Sequence, residues 1–278
     1  MRLNARFILL GLLLSLGVTA QAADDDTIVF ATAPTHSKEE TVKLYTPLMN
    51  YLSQATGKKF VIDTAANFIE YSVRMRLDKY DMIFDGPHLT GWRMANMDHT
   101  PIVRFPGSIK IVVAAQKESN LSSMKDLEGG FARVCAFASP NMLTMAFLSY
   151  FPNPVRQPHL IRTQGFGNLV KCMKENRGQA AVLRDKLWDK LSDDVKANYR
   201  LIAQPERGYP ERTFSVSPKI SEPLRKQITE AMLSEEGQKV SQALLARFKK
   251  KNFIPAKPAE YEGLDMLLRP VWGFHGGY

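Results

Sequence analysis

Strand-like and helix-like segments alternate along this chain, and the alternation constrains its fold more than any other feature of the sequence. Thr27–Ala33 is a short apolar run typical of a buried strand, and apolar residues then recur at helical spacing from Val42 to Leu52, just before Gly57. Further strands are predicted at Phe60–Thr64, Asp81–Phe84, Ile109–Ala115, Arg133–Phe137, His159–Arg162, Ala180–Leu183, Tyr199–Ala203 and Thr213–Val216. With helical segments between them, they predict an α/β protein whose mostly parallel sheets are flanked by helices.

The alternation falls into two successive series, which predicts two lobes. The first series ends near residue 112, the second begins after Gln116, and a mainly helical segment follows residue 211. We therefore expect the chain to cross between lobes at 112–118 and to return at 204–210. The first lobe would combine residues 23–112 with 211–278, and residues 113–210 would form the second lobe with its hinge segments.

The first 22 residues have the composition of an export signal. Arg2 and Arg6 precede the apolar run Phe7–Val18, and residues 20–22 (Ala-Gln-Ala) form a small-x-small cleavage site. The apolar run is shorter than the about 20 residues that a membrane helix requires. We predict cleavage after Ala22 and export of the rest of the chain; the alternative is an uncleaved anchor or a buried helix.

The charge of the exported chain favours a small anion as its ligand. The formal net charge of +9 becomes +7 once Arg2 and Arg6 are removed, and a positive field raises the local concentration of anions. A nucleic acid is not an expected partner, because the chain is exported and its basic residues are scattered. The one dense run, Lys249–Lys251, is interpreted as a solvated helix end.

Two cysteines, Cys135 and Cys172, lie in the predicted second lobe of a protein that enters an oxidising compartment. A disulfide between them and two buried free thiols are both compatible with the sequence. The absence of a CxxC motif argues against a redox site.

Four strand-to-helix turns carry side chains suited to holding an oxyanion. Ligands of open α/β sheets bind beyond the carboxyl ends of the strands, where helix N-termini present unpaired N–H groups. The candidate ligand-binding residues are Thr35, His36, Ser37, Asp85, Gly86, His88, Ser139, Asn141, Asn168 and, directly after a strand, Arg184. The same residue types are also common helix caps and turn formers, and Arg184 fits a surface position equally well.

An enzyme is not predicted, since the sequence contains no nucleophile-elbow, zinc-protease or phosphate-loop motif. No metal or other cofactor is expected either. The alternative from another class is an exported metal-dependent enzyme that uses His36, Asp85 and His88, although their spacing matches no known metal motif.

Several segments resemble the phosphate, phosphite and phosphonate-binding proteins of ABC importers. They are Thr46–Leu52 (TPLMNYL), Lys79–His88 (KYDMIFDGPH), Lys125–Gly129 (KDLEG), Ser139–Asn141 (SPN) and Gly178–Val182 (GQAAV). The resemblance covers most of the exported chain. It implies a type 2 periplasmic binding protein fold with two lobes, two hinge crossings and closure on the ligand.

The resemblance also implies partners and site residues. It predicts a periplasmic monomer that captures a small anion and delivers it to an ABC permease in the inner membrane. Phe68 matches an aromatic position that faces the ligand, and Ser139–Asn141 and Asn168 match two ligand-binding turns of the second lobe. A sensory protein of the same fold, which docks on a membrane receptor, is the alternative.

Overall fold

The computed structural model describes residues 26–138, 140–204 and 208–272. The predicted signal peptide and its cleavage site lie outside the described residues. The elements up to the first crossing between lobes are β1 (Thr27–Thr32), α1 (Lys38–Thr56), β2 (Lys59–Asp63), α2 (Phe68–Arg76), β3 (Met82–Asp85), α3 (Pro87–Met97), β4 (Thr100–Arg104) and β5 (Ser108–Ile109).

The middle of the chain continues the alternation. Its elements are β6 (Ile111–Gln116), β7 (Arg133–Phe137), α4 (Met142–Leu148), β8 (His159–Thr163), α5 (Gly165–Lys174), β9 (Ala180–Arg184), α6 (Asp185–Trp188), α7 (Asp193–Ala197) and β10 (Tyr199–Ala203). After these come β11 (Tyr209–Pro210), β12 (Thr213–Val216), α8 (Glu222–Leu233), α9 (Glu235–Val240), α10 (Gln242–Arg247), β13 (Ile254–Pro255) and α11 (Arg269–Trp272).

Local sequence explains where α1 begins and ends. The Ser37 hydroxyl accepts a hydrogen bond from the backbone N–H of Glu40, which caps the amino end of the helix. Gly57 ends it in the left-handed conformation, with φ of +72°. The apolar face of α1 packs against the first sheet, where Tyr45, Leu48 and Leu52 are fully buried.

The first lobe contains a six-stranded sheet in the order β13-β4-β12-β3-β1-β2. Strand β1 pairs in parallel with β2 and with β3, whereas β12 is antiparallel to both β3 and β4. The antiparallel pairing places the amino end of β12 beside the carboxyl end of β3, since Thr213 pairs with Asp85.

The second lobe contains a five-stranded sheet in the order β10-β6-β9-β7-β8. Strand β7 is parallel to β8 and β9, and β6 is antiparallel to β9 and β10. Cys135 of β7 and Cys172 of α5 form a disulfide, with their Cα atoms 6.2 Å apart. Of the two states that the sequence left open, the structure therefore has the bonded one.

The α/β prediction of mostly parallel, helix-flanked sheets is confirmed, since most strands of each sheet run in one direction. Each sheet is mixed because a strand next to a crossing, β6 or β12, enters its sheet in the reverse direction. The crossings themselves are the paired short strands β5 and β11. The first of these strands directly precedes β6.

The C-terminal segment contacts both lobes. Tyr261, Leu264 and Leu267 pack in the apolar cluster of the second lobe, whereas Leu268 packs with residues of the first. In the described part of the chain, no helix has the length and apolarity that a bilayer crossing requires.

Candidate functional site

A cavity of about 740 Å³ lies between the two lobes. The first lobe and the crossings line it with Ala33, Pro34, Thr35, Phe68, Gly86, Pro87, His88, Leu89, Ile109 and Arg212. The second lobe contributes Phe137, Ala138, Pro140, Asn141, Met142, Leu143, Thr163, Gln164, Gly165 and Arg184. No aspartate or glutamate is among these described lining residues, so the charged side chains of the cavity are cationic.

Two helices of opposite lobes begin at this cavity without a side-chain cap. Gly86 precedes α3 and Gln164 precedes α5, and among the described residues neither helix start has a capping hydrogen bond from its N-cap side chain. The first N–H groups of a helix lack intrahelical partners, and the positive end of the helix dipole lies there. In α3, Pro87 has no N–H and the Leu89 N–H donates to the Gly86 carbonyl oxygen at 3.1 Å, which leaves the His88 N–H as the donor of its first turn. The start of α5 is able to donate its first N–H groups to an oxyanion in the cavity.

The side chain of Arg212 is the main charge of the first-lobe wall. Its guanidinium lies over the Phe248 ring, 5.1 Å from the centroid, and makes no hydrogen bond or ion pair with any described residue. Arg212 directly precedes β12, so the antiparallel pairing with β3 places it beside the turn that starts α3. An unpaired guanidinium is well suited to bind an oxyanion with two parallel hydrogen bonds.

Arg184 lines the opposite wall, but its guanidinium is already paired. It donates to both carboxylate oxygens of Glu211, at 2.5 and 3.4 Å, and to the carbonyl oxygen of Ser108 at 3.1 Å. The expected anion clamp at Arg184 therefore has a carboxylate partner in this structure.

His88 connects the two lobes. Its Nε2 lies 2.9 Å from the carbonyl oxygen of Pro140, and because a carbonyl only accepts, Nε2 carries the proton. Burial lowers the pKa of His88 to about 4, so the ring is neutral at pH 7. Gly86 permits this packing, because a Cβ atom there would lie 2.8 Å from Cε1 of the imidazole.

Asp85 does not line the cavity, which differs from its expected role as a ligand-binding residue. Its side chain is fully buried and forms a bidentate ion pair with Arg93, at 2.7 and 2.8 Å, and it accepts a further bond from the Tyr71 hydroxyl. With both oxygens engaged, this carboxylate fixes the end of β3 beneath the Gly86 turn.

The remaining candidates fall into two groups. Thr35, Phe68 and Asn141 line the cavity, while Asn141 also caps α4 by accepting from the N–H of Leu143. His36, Ser37 and Asn168 do not line it. His36 Nδ1 accepts a hydrogen bond from Arg247 at 3.2 Å, and the Asn168 amide donates to the Gln164 carbonyl at 2.8 Å. Ser139 lies outside the described residues.

The structure does not bring His36, Asp85 and His88 together as a metal site would require. Asp85 is ion-paired with Arg93, and His36 lies against Glu40 of α1 and Arg247 at the end of α10. Among the residues that the structure describes, no group of three His, Cys, Asp or Glu side chains converges to hold a metal ion.

Sequence reasoning missed Arg212. In a parallel sheet the ligand-binding residues follow the strands, whereas Arg212 directly precedes its strand. In an antiparallel pair the amino end of one strand lies beside the carboxyl end of the other. An arginine immediately ahead of Thr213–Val216 was the available signal, but its significance depends on the direction in which that strand pairs.

Comparison with known families gives a match over most of the chain. A family model described as the periplasmic substrate-binding protein of a phosphonate ABC transporter matches residues 30–261. No curated protein matches the sequence.

Solved structures with a similar fold include three from bacteria. XAC2383 from Xanthomonas citri, bound to ATP, has a TM-score of 0.69 and 13% identity, over 87% of this chain and 95% of that chain. PhnD1 from Prochlorococcus marinus, in complex with methylphosphonate, has a TM-score of 0.62 and 14% identity, over 90% of this chain and 100% of that one. PA3383 from Pseudomonas aeruginosa, a binding protein component of an ABC phosphonate transporter, has a TM-score of 0.54 and 15% identity, over 89% of this chain and 85% of that chain. At these identities the likeness is one of fold.

Proposed function

Since this chain belongs to the family of phosphonate periplasmic substrate-binding proteins of ABC transporters, we propose that it captures one small oxyanion between its lobes for an importer. The ligand is a phosphonate, phosphite, phosphate or similar anion. The protein works as a monomer that delivers this ligand to a permease in the inner membrane.

One observation carries the proposal: donors from both lobes surround a cavity whose described lining residues include no aspartate or glutamate. The starts of α3 and α5 belong to different lobes, and Arg212 adds to the cavity lining a guanidinium that has no ion-pair partner among the described residues. Oxyanions bind well where backbone N–H groups and an arginine converge. A cation would find no countercharge among the described lining residues, so an anion is the favoured ligand.

The cavity walls also accommodate an organic substituent. Phe68, Phe137 and Met142 line it together with Leu89 and Leu143, so apolar surface lies next to the donor groups. A volume of about 740 Å³ is within the range typical of pockets for organic ligands. A phosphonate with an apolar carbon group would use both parts of the cavity.

Isothermal titration calorimetry tests this proposal directly. Methylphosphonate, phosphite and phosphate are titrated into the purified protein, with arginine and glucose as cationic and neutral comparison compounds. We expect binding by at least one phosphorus oxyanion and none by the comparison compounds. Binding of amines or neutral solutes alone would contradict the anion site.

Two further measurements test localisation and transport. Intact-mass analysis of the periplasmic fraction is expected to find a chain that begins at Ala23, as cleavage after Ala22 requires. A strain that lacks the gene is expected to grow poorly when the bound compound is its only phosphorus source. Normal growth of that strain would favour the sensory alternative over an importer.

A further inference from the structure

Glu211 lies at the second crossing and holds cations from both lobes. Its side chain is buried, with 5% of its surface exposed, and Oε1 accepts hydrogen bonds from Arg184 of the second lobe and from Lys250 of the first. These contacts measure 2.5 and 2.7 Å. The hydrogen bonds from Arg184 and Lys250 lower the pKa of Glu211 even though burial by itself would raise it, so the carboxylate is charged.

The same two cations are tied to the first crossing. Arg184 donates to the carbonyl oxygen of Ser108 at 3.1 Å, and the Lys250 ammonium donates to that of Pro106 at 3.0 Å. Arg184 also lies near Asp185, whose carboxylate is 3.7 Å from Nε, beyond hydrogen-bonding distance. Glu211 is therefore the carboxylate that fixes the direction of the Arg184 guanidinium.

This pairing decides how much unpaired positive charge the cavity presents. Two arginines are among the described residues that line the cavity. Arg184 is ion-paired with Glu211, which it shares with Lys250, whereas Arg212 has no ion-pair partner among the described residues. A ligand with one oxyanion group is satisfied by Arg212 and the two helix starts. A second anionic group on the same ligand would need Arg184, which is held against the hinge.

We propose that Glu211 is a specificity-determining residue: by holding Arg184 at the hinge, it restricts the cavity to ligands with a single oxyanion group. This inference rests on the proposed function, because it concerns the same site. Moving Arg184 to a ligand would break its two hydrogen bonds to Glu211 and leave the buried Oε2 without a partner among the described residues, which is unfavourable. The Arg184 Nε is already buried without a hydrogen-bond partner among the described residues, so a released guanidinium has a further donor to offer.

The substitution Glu211→Gln tests the inference, with two probes that differ in the number of anionic groups. Methylphosphonate carries one such group and inorganic pyrophosphate carries two. Calorimetry at constant ionic strength measures both dissociation constants for the wild type and the variant. We expect the affinity for pyrophosphate to increase about tenfold relative to that for methylphosphonate, as one new charge-assisted contact implies.

A matched control and a second variant keep the result interpretable. Glu260→Gln removes a carboxylate that lies 2.7 Å from the Arg104 guanidinium, and neither residue lines the cavity. This control should leave the ratio of the two affinities unchanged. If Glu211→Gln does not fold, the double variant E211Q/K250M also removes the Lys250 ammonium, which Glu211→Gln leaves without its carboxylate. It should show the same gain in pyrophosphate affinity.

The two proposals fail in different ways. A wild type that does not bind methylphosphonate contradicts the proposed function. A variant of Glu211 with no gain in pyrophosphate affinity overturns the inference, whatever the wild type binds.

Discussion

The imidazole of His88 donates a hydrogen bond to the carbonyl oxygen of Pro140 across the cavity, at 2.9 Å. His88 is at the start of α3 in the first lobe, and Pro140 precedes α4 in the second. This contact joins the lobes directly at the ligand cavity.

The substitution His88→Ala is expected to favour separation of the lobes. Loss of this hydrogen bond should destabilise the joined arrangement of the lobes by about 1 kcal/mol. That free energy changes the ratio of joined to separated lobes about fivefold. Small-angle X-ray scattering of the ligand-free protein should show a larger radius of gyration. His159→Ala, at an exposed position of β8, is the control. Identical radii for wild type and His88→Ala would show that the contact does not hold the lobes.

Stability is expected to fall as the pH drops below about 6.5. Burial lowers the pKa of His88 to about 4 and that of His99 to about 3, from an ordinary value of 6.5. At a pH between the folded and the unfolded pKa of each histidine, the unfolded chain binds a proton that the folded chain does not. Each histidine therefore lowers the free energy of unfolding by about 1.4 kcal/mol for each pH unit of acidification in that range. Above pH 6.5 both rings are neutral in either state, and their contribution is constant.

Urea denaturation at pH 7, 6 and 5 measures this slope. The variant His99→Gln should show a shallower decline than the wild type, because one of the two groups no longer titrates. A slope that is the same in both proteins would mean that His99 is protonated without cost in the fold.

Replacing Arg212 should weaken ligand binding without unfolding the protein. Arg212→Met keeps an apolar side chain over Phe248 but removes the guanidinium. Loss of a charge-assisted contact should raise the dissociation constant for the bound oxyanion by about 10- to 100-fold. Calorimetry measures the effect, and Arg156→Met, at an exposed site of the second lobe, is the matched control. Unchanged affinity in Arg212→Met would remove this residue from the site.

Asp85 is expected to act on stability. Asp85→Asn leaves Arg93 charged and fully buried, and breaking a buried pair typically costs about 3–5 kcal/mol. The exposed pair of Asp78 and Lys219 offers a comparison, since Asp78→Asn should cost less than about 1 kcal/mol. The free energy of unfolding in urea distinguishes the two. If Asp85→Asn were as stable as the wild type, the ion pair would not be what anchors the α3 turn.

The disulfide should stabilise the second lobe. Cys135 and Cys172 are 37 residues apart, and closing a loop of that length contributes about 4 kcal/mol on the chain-entropy model. The double variant Cys135→Ala/Cys172→Ala should unfold at a correspondingly lower urea concentration. Addition of dithiothreitol should destabilise the wild type and leave the variant unchanged; an equal response of both would exclude the bond as the cause.

The order of elements could be predicted from the sequence because it depends on local patterns. Apolar spacing in α1, its Ser37 cap and the Gly57 stop all act within a few residues, and the structure has the helix between them. The turns at Gly86 and Gln164 were likewise recognisable, since a strand followed by a helix start is a local signal.

Only the tertiary structure decided which side chains meet at the cavity. The direction in which β12 pairs with β3 depends on contacts between residues far apart in sequence, and that direction brings Arg212 to the site. Asp85 and His88 are three residues apart in one turn, yet Arg93 holds the first inside the core while the second reaches the opposite lobe. Strand direction and the choice of ion-pair partner are properties of packing, and a linear pattern of residues does not contain them.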